Sequence, residues 1–298
     1  FLSGGIDSTS IIKNMADNDV KVNSFSIYLQ ENKYDESKYA KKVVEKYNLN
    51  HKSTTISSEI SINEINQALN SLDEPYSDPS VVPSFILSNQ ISKYYKVAIS
   101  GDGGDELLGG YERTVKSLKK TGFFSNLISK TYNFYPAILG TGNKFLSKSN
   151  NLETKYRSFL EDKKLMKLLK IKSLDNTFAD GLNYEEANYY KKLLIADYKL
   201  FLPEMMMFKI DRTSMASSLE VRSPFVDHKL IEFIMSNNNS YLNPKNSKEV
   251  LKNYLSNDFS QEFLLRKKQG FIFDVENWVF NNLDFILDKI SNGHVVNN

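Results

Sequence analysis

Apolar residues in the first hundred positions fall into two alternating rhythms. In residues 22–28, Phe25 and Ile27 alternate with Ser24 and Ser26, the period of a strand with one buried face. Residues 34–47 follow as a charged helix carrying Tyr39, Val43 and Val44 on one side, and residues 51–56 as a short Thr-bearing strand. Residues 60–72 place Ile62, Ile65, Ala68, Leu69 and Leu72 in a helical stripe. After a loop punctuated by Pro75 and Pro79, residues 81–95 read as a helix. Residues 95–99 read as a buried strand entering Ser100-Gly101-Asp102-Gly103-Gly104-Asp105-Glu106. This order predicts an α/β fold: a parallel sheet whose strands are joined by crossover helices.

In such sheets ligands bind beyond the carboxyl ends of the strands, where chain order reverses. Two glycine-acid turns fall there. The first, Ser3-Gly4-Gly5-Ile6-Asp7-Ser8, lies between the apolar pair Phe1-Leu2, a strand end, and Thr9-Ser10-Ile11-Ile12, the first turns of a helix. Gly4 and Gly5 let the backbone turn sharply and approach a polyphosphate, Ser3 and Ser8 offer hydroxyls, and the following helix offers free N–H groups. Asp7 would hold a cation. No lysine follows the glycines, so this is not the Gly-x4-Gly-Lys loop. An acid beside the phosphates suits a Mg2+-pyrophosphate leaving group and reaction at the α-phosphate. The string resembles the pyrophosphate loop of the ATP pyrophosphatase (PP-loop) superfamily. The plainer reading is a Gly-Gly turn capping a helix.

The second turn sets three acids among five glycines in residues 100–111. It does not fit an EF-hand, because the twelfth position from Asp102 is Arg113. A second acid for Mg2+ plus a carboxylate base is the better functional reading. The plainer one is a turn in which Asp105 caps a helix.

Composition narrows the classes. The chain has 298 residues, 41% hydrophobic and 25% charged, with 38 basic and 36 acidic residues and a net charge of +2. These are globular proportions. The mixed charge argues against a nucleic-acid partner, and Lys163-Lys164 and Lys191-Lys192 read as solvated faces. Cysteine is absent, which excludes disulfides, thiolate metal sites and a cysteine nucleophile on this chain. His51, His228 and His294 lack zinc-helix spacing. No apolar run is long enough to span a membrane, so no membrane partner and a cytoplasmic location are expected.

Five segments then make a family resemblance specific. The two turns are joined by Leu202-Pro203-Glu204-Met205-Met206-Met207-Phe208-Lys209-Ile210-Asp211-Arg212-Thr213-Ser214-Met215-Ala216, by Ser218-Leu219-Glu220-Val221-Arg222-Ser223-Pro224-Phe225-Val226-Asp227-His228, and by Arg266-Lys267-Lys268-Gln269-Gly270-Phe271. In this order they resemble the C-terminal synthetase domain of glutamine-hydrolysing asparagine synthetase, over residues 1–298 as one domain. The resemblance implies a PP-loop (adenine nucleotide α-hydrolase-like) core followed by a mainly helical C-terminal part.

The resemblance also implies roles. Ser3, Gly4, Gly5, Asp7 and Ser8 match the pyrophosphate loop, and Asp7 with Asp105 match the acids that hold Mg2+. Phe1, Ile27, Ser100 and Gly101 fall where the family encloses adenine and ribose. Asp102 matches a carboxylate that acts as base toward ammonia, and Lys248 a lysine that stabilises charge on the α-phosphate. Without the resemblance Lys248 is an ordinary helix lysine. Lys268, beside Gly270, reads either as a phosphate contact or as a surface charge. ATP and Mg2+ are thus the implied cofactors, and L-aspartate and ammonia the substrates. A glutaminase domain with an N-terminal cysteine, preceding this chain together with the start of its first strand, is the implied ammonia source, and a homodimer is a possible assembly.

Other residues read structurally. Met205, Met206 and Met207 are expected as soft core filling, Trp278 as core or interface, and Asp211, Arg212, Glu220 and Arg222 as ion pairs bracing helices. Some relatives carry an arginine for the substrate carboxylate in the loop matching Asp73-Glu74-Pro75-Tyr76-Ser77-Asp78-Pro79-Ser80, which has none. Lys252 stands where an arginine is common. The expected function is therefore an ATP-dependent amide ligase forming asparagine, AMP and pyrophosphate. The alternatives are an amidotransferase for a polysaccharide or peptide carboxylate, a tRNA-modifying PP-loop enzyme, and an inactive ATP-binding subunit. Residues 115–180 show helical patches and no motif.

Overall fold

The computed structural model describes residues 1–29, 37–56, 60–120, 122–136, 141–168, 170, 188–237, 241–266 and 274–292. Along the chain come α1 (Ile6–Asp17), β1 (Asn23–Leu29), α2 (Ser37–Lys46), β2 (Asn50–Ile56), α3 (Ile62–Asn70), α4 (Val81–Ser92) and β3 (Val97–Ile99). Then follow α5 (Gly104–Leu108), α6 (Glu112–Leu118), α7 (Phe123–Lys130), a 3-10 turn (Thr131–Phe134), α8 (Asn143–Leu146), α9 (Leu152–Arg157), α10 (Lys163–Leu168) and α11 (Tyr189–Ala196). A π-helix (Asp197–Met207) leads to α12 (Phe208–Met215), β4 (Glu220–Arg222), a second 3-10 turn (Pro224–Val226), α13 (His228–Ser236), α14 (Glu249–Leu255), α15 (Gln261–Leu265), α16 (Val275–Asn281) and α17 (Leu283–Ser291). Two compact units result: Phe1–Asp102 with Glu204–Asp227 and Val250–Asn298, and Gly103–Pro203 with His228–Glu249.

The first unit holds the strands. β1 pairs in parallel with β2, Asn23 opposite Asn50 through Leu29 opposite Ile56, and β3 pairs in parallel with β4, Val97 opposite Glu220. The extended pair Phe1-Leu2 bridges them. Leu2 donates its backbone N–H to the Phe25 carbonyl at 2.8 Å, and the Phe1 nitrogen donates to the Ile99 carbonyl at 2.6 Å. The order is therefore β2, β1, front pair, β3, β4. The chain runs outward from the front pair on one side and returns on the other, so its order reverses beside the front pair.

Alternate residues of that pair point to opposite layers. Leu2 is buried with Ile12 of α1, Ala40 and Val43 of α2, Leu255 of α14 and Phe263 of α15. Phe1 packs against Leu87 and Ile91 of α4 and against Leu219. A third cluster joins Ile65 and Ala68 of α3 to Val81, Val82 and Trp278. The α3 helix starts at a capping box: Ser61 Oγ accepts from the Glu64 N–H at 3.2 Å, and Glu64 accepts from the Ser61 N–H at 3.0 Å. The Trp278 indole donates to the Ile60 carbonyl at 2.7 Å, so this tryptophan is core, as expected.

Several boundaries move. The charged helix expected over 34–47 is α2, Ser37–Lys46, with residues 34–36 outside the described residues. The helix expected over 81–95 ends at Ser92, yet Tyr94 and Tyr95 still donate their N–H groups to the Ile91 carbonyl in a closing turn. This is why β3 begins only at Val97, and it is not a buried strand: Val97 is 44% exposed, and Ala98 and Ile99 are half-buried. β4 was not anticipated.

In the second unit α6, α9 and α11 surround Tyr156, Leu193 and Ala196. Buried Asp197 accepts from Arg113 at 2.7 Å, from Thr114 at 2.9 Å and from the Tyr156 hydroxyl. The Arg113 guanidinium stacks on Tyr111 at 3.8 Å and Phe201 at 3.9 Å. The carboxylate is thus satisfied from three sides, without which its burial would be costly.

Candidate functional site

The front turn lies in the first unit, where sheet order reverses. Gly4 has φ +79, a left-handed conformation that favours glycine, and a Cβ there would meet the Ala40 backbone nitrogen at 2.5 Å. The turn is tied by its serines. Ser3 Oγ accepts from the Gly5 N–H at 3.1 Å and lies 3.2 Å from Ser8 Oγ, which donates to the Gly5 carbonyl at 3.2 Å. Arg266 donates to the Gly4 carbonyl, fixing the turn from outside. No side chain caps α1, whose first turn carries Asp7. Its N-terminal N–H groups have a partial positive charge available to an anion.

The turn after β3 comes to the same place. A Cβ on Gly101 would lie 3.1 Å from Asp7 Cβ and 3.1 Å from the Ser8 nitrogen. Ser100 is buried, and its hydroxyl has no hydrogen-bond partner among the described residues. Ser223 donates its hydroxyl to the Asp102 carbonyl, holding that residue at the edge of the unit. Ile27, on β1, packs with Phe1 against α4.

The second unit holds Asp105 and Lys248. Gly103, at φ +86, is the N-cap of α5, so Asp105 is not the cap but stands in the first turn. There it is ion-paired with Lys248, both side chains being nearly buried. Lys248 is not a helix lysine. It precedes α14 with φ +56, and its N–H donates to the Leu108 carbonyl at 3.1 Å. A Cβ on Gly110 would fall 1.6 Å from Asp105 Oδ1 and 2.6 Å from Lys248 Cε, so glycine is what leaves room for the pair. Beside it, buried Glu106 accepts from the Tyr111 hydroxyl at 2.6 Å.

Sequence reasoning missed Lys209, at the start of α12. It is 5% exposed and donates to Ser80 Oγ at 2.8 Å and to Asp78 Oδ2 at 3.3 Å. Burial alone would raise the Asp78 carboxyl, but Lys209 and Ser80 outweigh it and hold the group below its ordinary range. Tyr76 donates to the Met205 carbonyl; burial pushes its hydroxyl up, helped by the charges of Asp78 and Asp102. The signal available was a lysine in an otherwise apolar helix start, facing a loop with an unpaired-looking acid.

Other expectations are corrected or fall outside. Met205, Met206 and Met207 are half-buried members of the π-helix rather than core. Arg212 reaches Asp73 at 3.0 Å and Arg222 reaches Glu220 at 2.8 Å, but these pairs are exposed and brace little. His51 accepts or donates to Ser24 at 2.9 Å and Tyr28 at 3.2 Å and is structural. Lys268 and His294 lie outside the described residues.

The residues suit a nucleotide. The uncapped N–H groups of α1, the paired serines and the buried Ser100 hydroxyl have the chemistry to donate to phosphate and sugar oxygens. Asp7 in the first unit and Asp105 in the second each carry a hard carboxylate oxygen, the donor type that Mg2+ takes. Among the described residues no three acids or histidines cluster as a metal site by themselves.

The model of the asparagine synthase family matches residues 1–296. The chain belongs to that family. It is 27% identical over 303 residues to asparagine synthetase (glutamine-hydrolyzing) 1 of Bacillus subtilis (strain 168), covering 95% of this chain and 47% of the relative. It is 26% identical over 290 residues to asparagine synthetase (glutamine-hydrolyzing) 3 of the same organism, covering 91% of this chain and 44% of the relative. The chain thus spans less than half the length of these curated relatives. The resemblance seen in the five segments is borne out at the level of the family, as is an α/β fold with small parallel sheets. Among the described residues no helix is long and apolar enough to cross a membrane.

Proposed function

We propose that this family member is an ATP-dependent amide ligase of the PP-loop type. It activates the side-chain carboxylate of L-aspartate as an acyl-adenylate, releases pyrophosphate, and transfers ammonia to give asparagine and AMP. The observation that carries the reading is the meeting of the front turn with Gly101 where sheet order reverses. It sets phosphate donors, an acid and a close glycine approach in one place.

In this reading Ser3, Gly4, Gly5 and Ser8 take the pyrophosphate, and Phe1, Ile27, Ser100 and Gly101 the adenosine. Bound Mg2+, assigned by the resemblance to Asp7 and Asp105, would offset charge on the phosphates. The resemblance assigns Lys248 to charge building on the α-phosphate, the kind of preorganised electrostatics that contributes most to such barriers. Asp102 takes the proton that ammonium loses before attack. Lys268 is assigned to a phosphate from its place beside Gly270. The relatives' name implies a glutaminase domain as ammonia source, and we extend that partner to this protein. Cytoplasmic location belongs to the same reading.

The test is product analysis with ATP, Mg2+, L-aspartate and ammonium. Asparagine, AMP and pyrophosphate are expected in equal amounts, with no product when glutamine replaces ammonium on this chain. ADP and phosphate would reject the ligase. The arginine-free loop around Asp78 favours a second reading, a different carboxylate substrate. Pyrophosphate release that ignores aspartate but responds to another carboxylate identifies it.

A further inference from the structure

Charge is unevenly distributed in this protein. Residues 113–170 contain thirteen Lys and Arg against three Asp and Glu, a net of +10 in a chain whose total is +2. The basic residues that fold the second unit are few. Arg113 is held by Asp197, Arg157 by Glu153 at 2.9 Å and Glu161 at 3.1 Å, and Lys155 donates to the Lys119 carbonyl. Nine lysines remain exposed, among them Lys119, Lys120, Lys130, Lys144 and Lys148, while no acid of this segment is exposed.

The same segment exposes large apolar side chains. Phe123 and Phe124 are each 79% exposed, Leu127 52% and Phe134 86%. This is not loose packing throughout. Tyr132 and Leu146 are buried, and Tyr135 packs on Phe145 with ring centroids 5.0 Å apart. On α7, Phe123, Phe124, Leu127 and Lys130 share an arc of about 120°. An apolar stripe rimmed by cations on a helix too short to span a bilayer is the pattern of a helix lying at a membrane surface.

We propose that α7 and the turn after it dock on an anionic lipid bilayer. The phenylalanines and Leu127 enter the boundary between headgroups and acyl chains, and the lysines face acidic headgroups. A second copy of the chain fits this face poorly, because it would bring the same positive charge against itself. Nucleic acid would match the lysines but leave Leu127 and the outward phenyl edges without use. The expectation of no membrane partner rested on the lack of a spanning segment and is revised here only for peripheral contact. The proposal is independent of the ligase reading.

Sedimentation of the 298-residue chain with lipid vesicles tests it. Vesicles with about 30 mol % phosphatidylglycerol should retain the protein, pure phosphatidylcholine should not, and about 0.5 M salt should release it. Replacing Lys119, Lys120 and Lys130 together by Ser should weaken partitioning by about 100-fold, from roughly a fivefold loss per lysine. Phe123→Ser with Phe124→Ser should also abolish retention. Both sets change exposed side chains, so the thermal midpoint should stay within a few degrees of the parent. In Phe124→Trp the new emission should shift to the blue on anionic vesicles. Equal retention on neutral vesicles, no retention on anionic ones, or retention unchanged in both variants overturns the proposal. So does salt-sensitive binding to duplex DNA that the phenylalanine variants keep, or a dimer in solution that those variants dissolve.

Discussion

Gly101 leaves so little room beside Asp7 that a single added methyl group would stand 3.1 Å from the aspartate Cβ. Two turns separated by more than ninety residues are therefore in contact through backbone and Cβ alone. Gly101→Ala should force the front turn back by a few tenths of an ångström, costing about 1–2 kcal/mol in stability. Because that turn is assigned to phosphate, ATP affinity measured by calorimetry should fall by at least about tenfold. Gly101→Val should do worse. Wild-type affinity in both variants would separate this contact from nucleotide binding.

The Lys248–Asp105 pair makes a sharper prediction, since the two charges are ion-paired in a nearly buried place. Lys248→Met leaves a buried carboxylate and should cost about 3–5 kcal/mol in denaturant unfolding. The double variant with Asp105→Asn should recover part of it, a coupling of about 1–3 kcal/mol. The left-handed backbone at Lys248, φ +56, adds an independent check. Lys248→Gly should be more stable than Lys248→Ala by about 1 kcal/mol, because alanine at positive φ is strained. Equal stability of the two would mean that residue 248 does not hold a left-handed backbone in solution.

The contrast between these two residues shows what the sequence carried. The front turn was legible because glycine, serine and acid at fixed spacing between an apolar pair and a helix have few other uses. The strands β1 and β2 and helix α3 were legible from period alone. Lys248 was not, because its pairing with Asp105 depends on Gly110 having no side chain, a fact about space rather than spacing. β4 was hidden for a similar reason. Glu220-Val221-Arg222 has no strand signal of its own and is held by β3 and by the Glu220 N–H donating to the Lys96 carbonyl at 2.9 Å. The π-helix also overrides local preference: Pro203 lacks an N–H, yet the helix passes through it.

Acid stability should depend on Asp258, which joins α1 and α2. Its carboxylate accepts from Tyr47 at 3.0 Å and pairs with Lys13 at 2.8 Å and Lys46 at 3.1 Å. Burial would raise this carboxyl, but the hydrogen bonds from Lys13, Lys46 and Tyr47 prevail and lower it from 3.8 to about 2. A carboxyl lowered on folding stabilises the native state above its unfolded value, and that contribution is lost as pH falls from about 4 to about 2. Asp258→Asn should therefore lose about 1–2 kcal/mol at pH 7 and show a flatter stability curve between about pH 4 and pH 2. A parallel displacement of the whole curve would assign the loss to packing instead.

Lys209 decides whether the arginine-free loop is held by the protein or by substrate. Its ammonium is buried between Ser80 and Asp78, which it reaches at 2.8 and 3.3 Å, and it lies on the helix that follows Met205, the acceptor of the Tyr76 hydroxyl. The loop from Asp73 to Ser80 is thus anchored at Tyr76, Asp78 and Ser80 by the protein itself. Lys209→Met removes the charge that keeps the Asp78 carboxyl low, so that carboxyl should rise and the chain should lose about 3 kcal/mol. Asp78→Asn in the same background should restore part of that loss, because a neutral amide is less costly to bury. In turnover assays, a loop held by the protein predicts that Lys209→Met with Asp78→Asn changes KM for the carboxylate substrate modestly. A rise of about a hundredfold or more in KM with little change in kcat would instead make Lys209 a direct contact of that substrate.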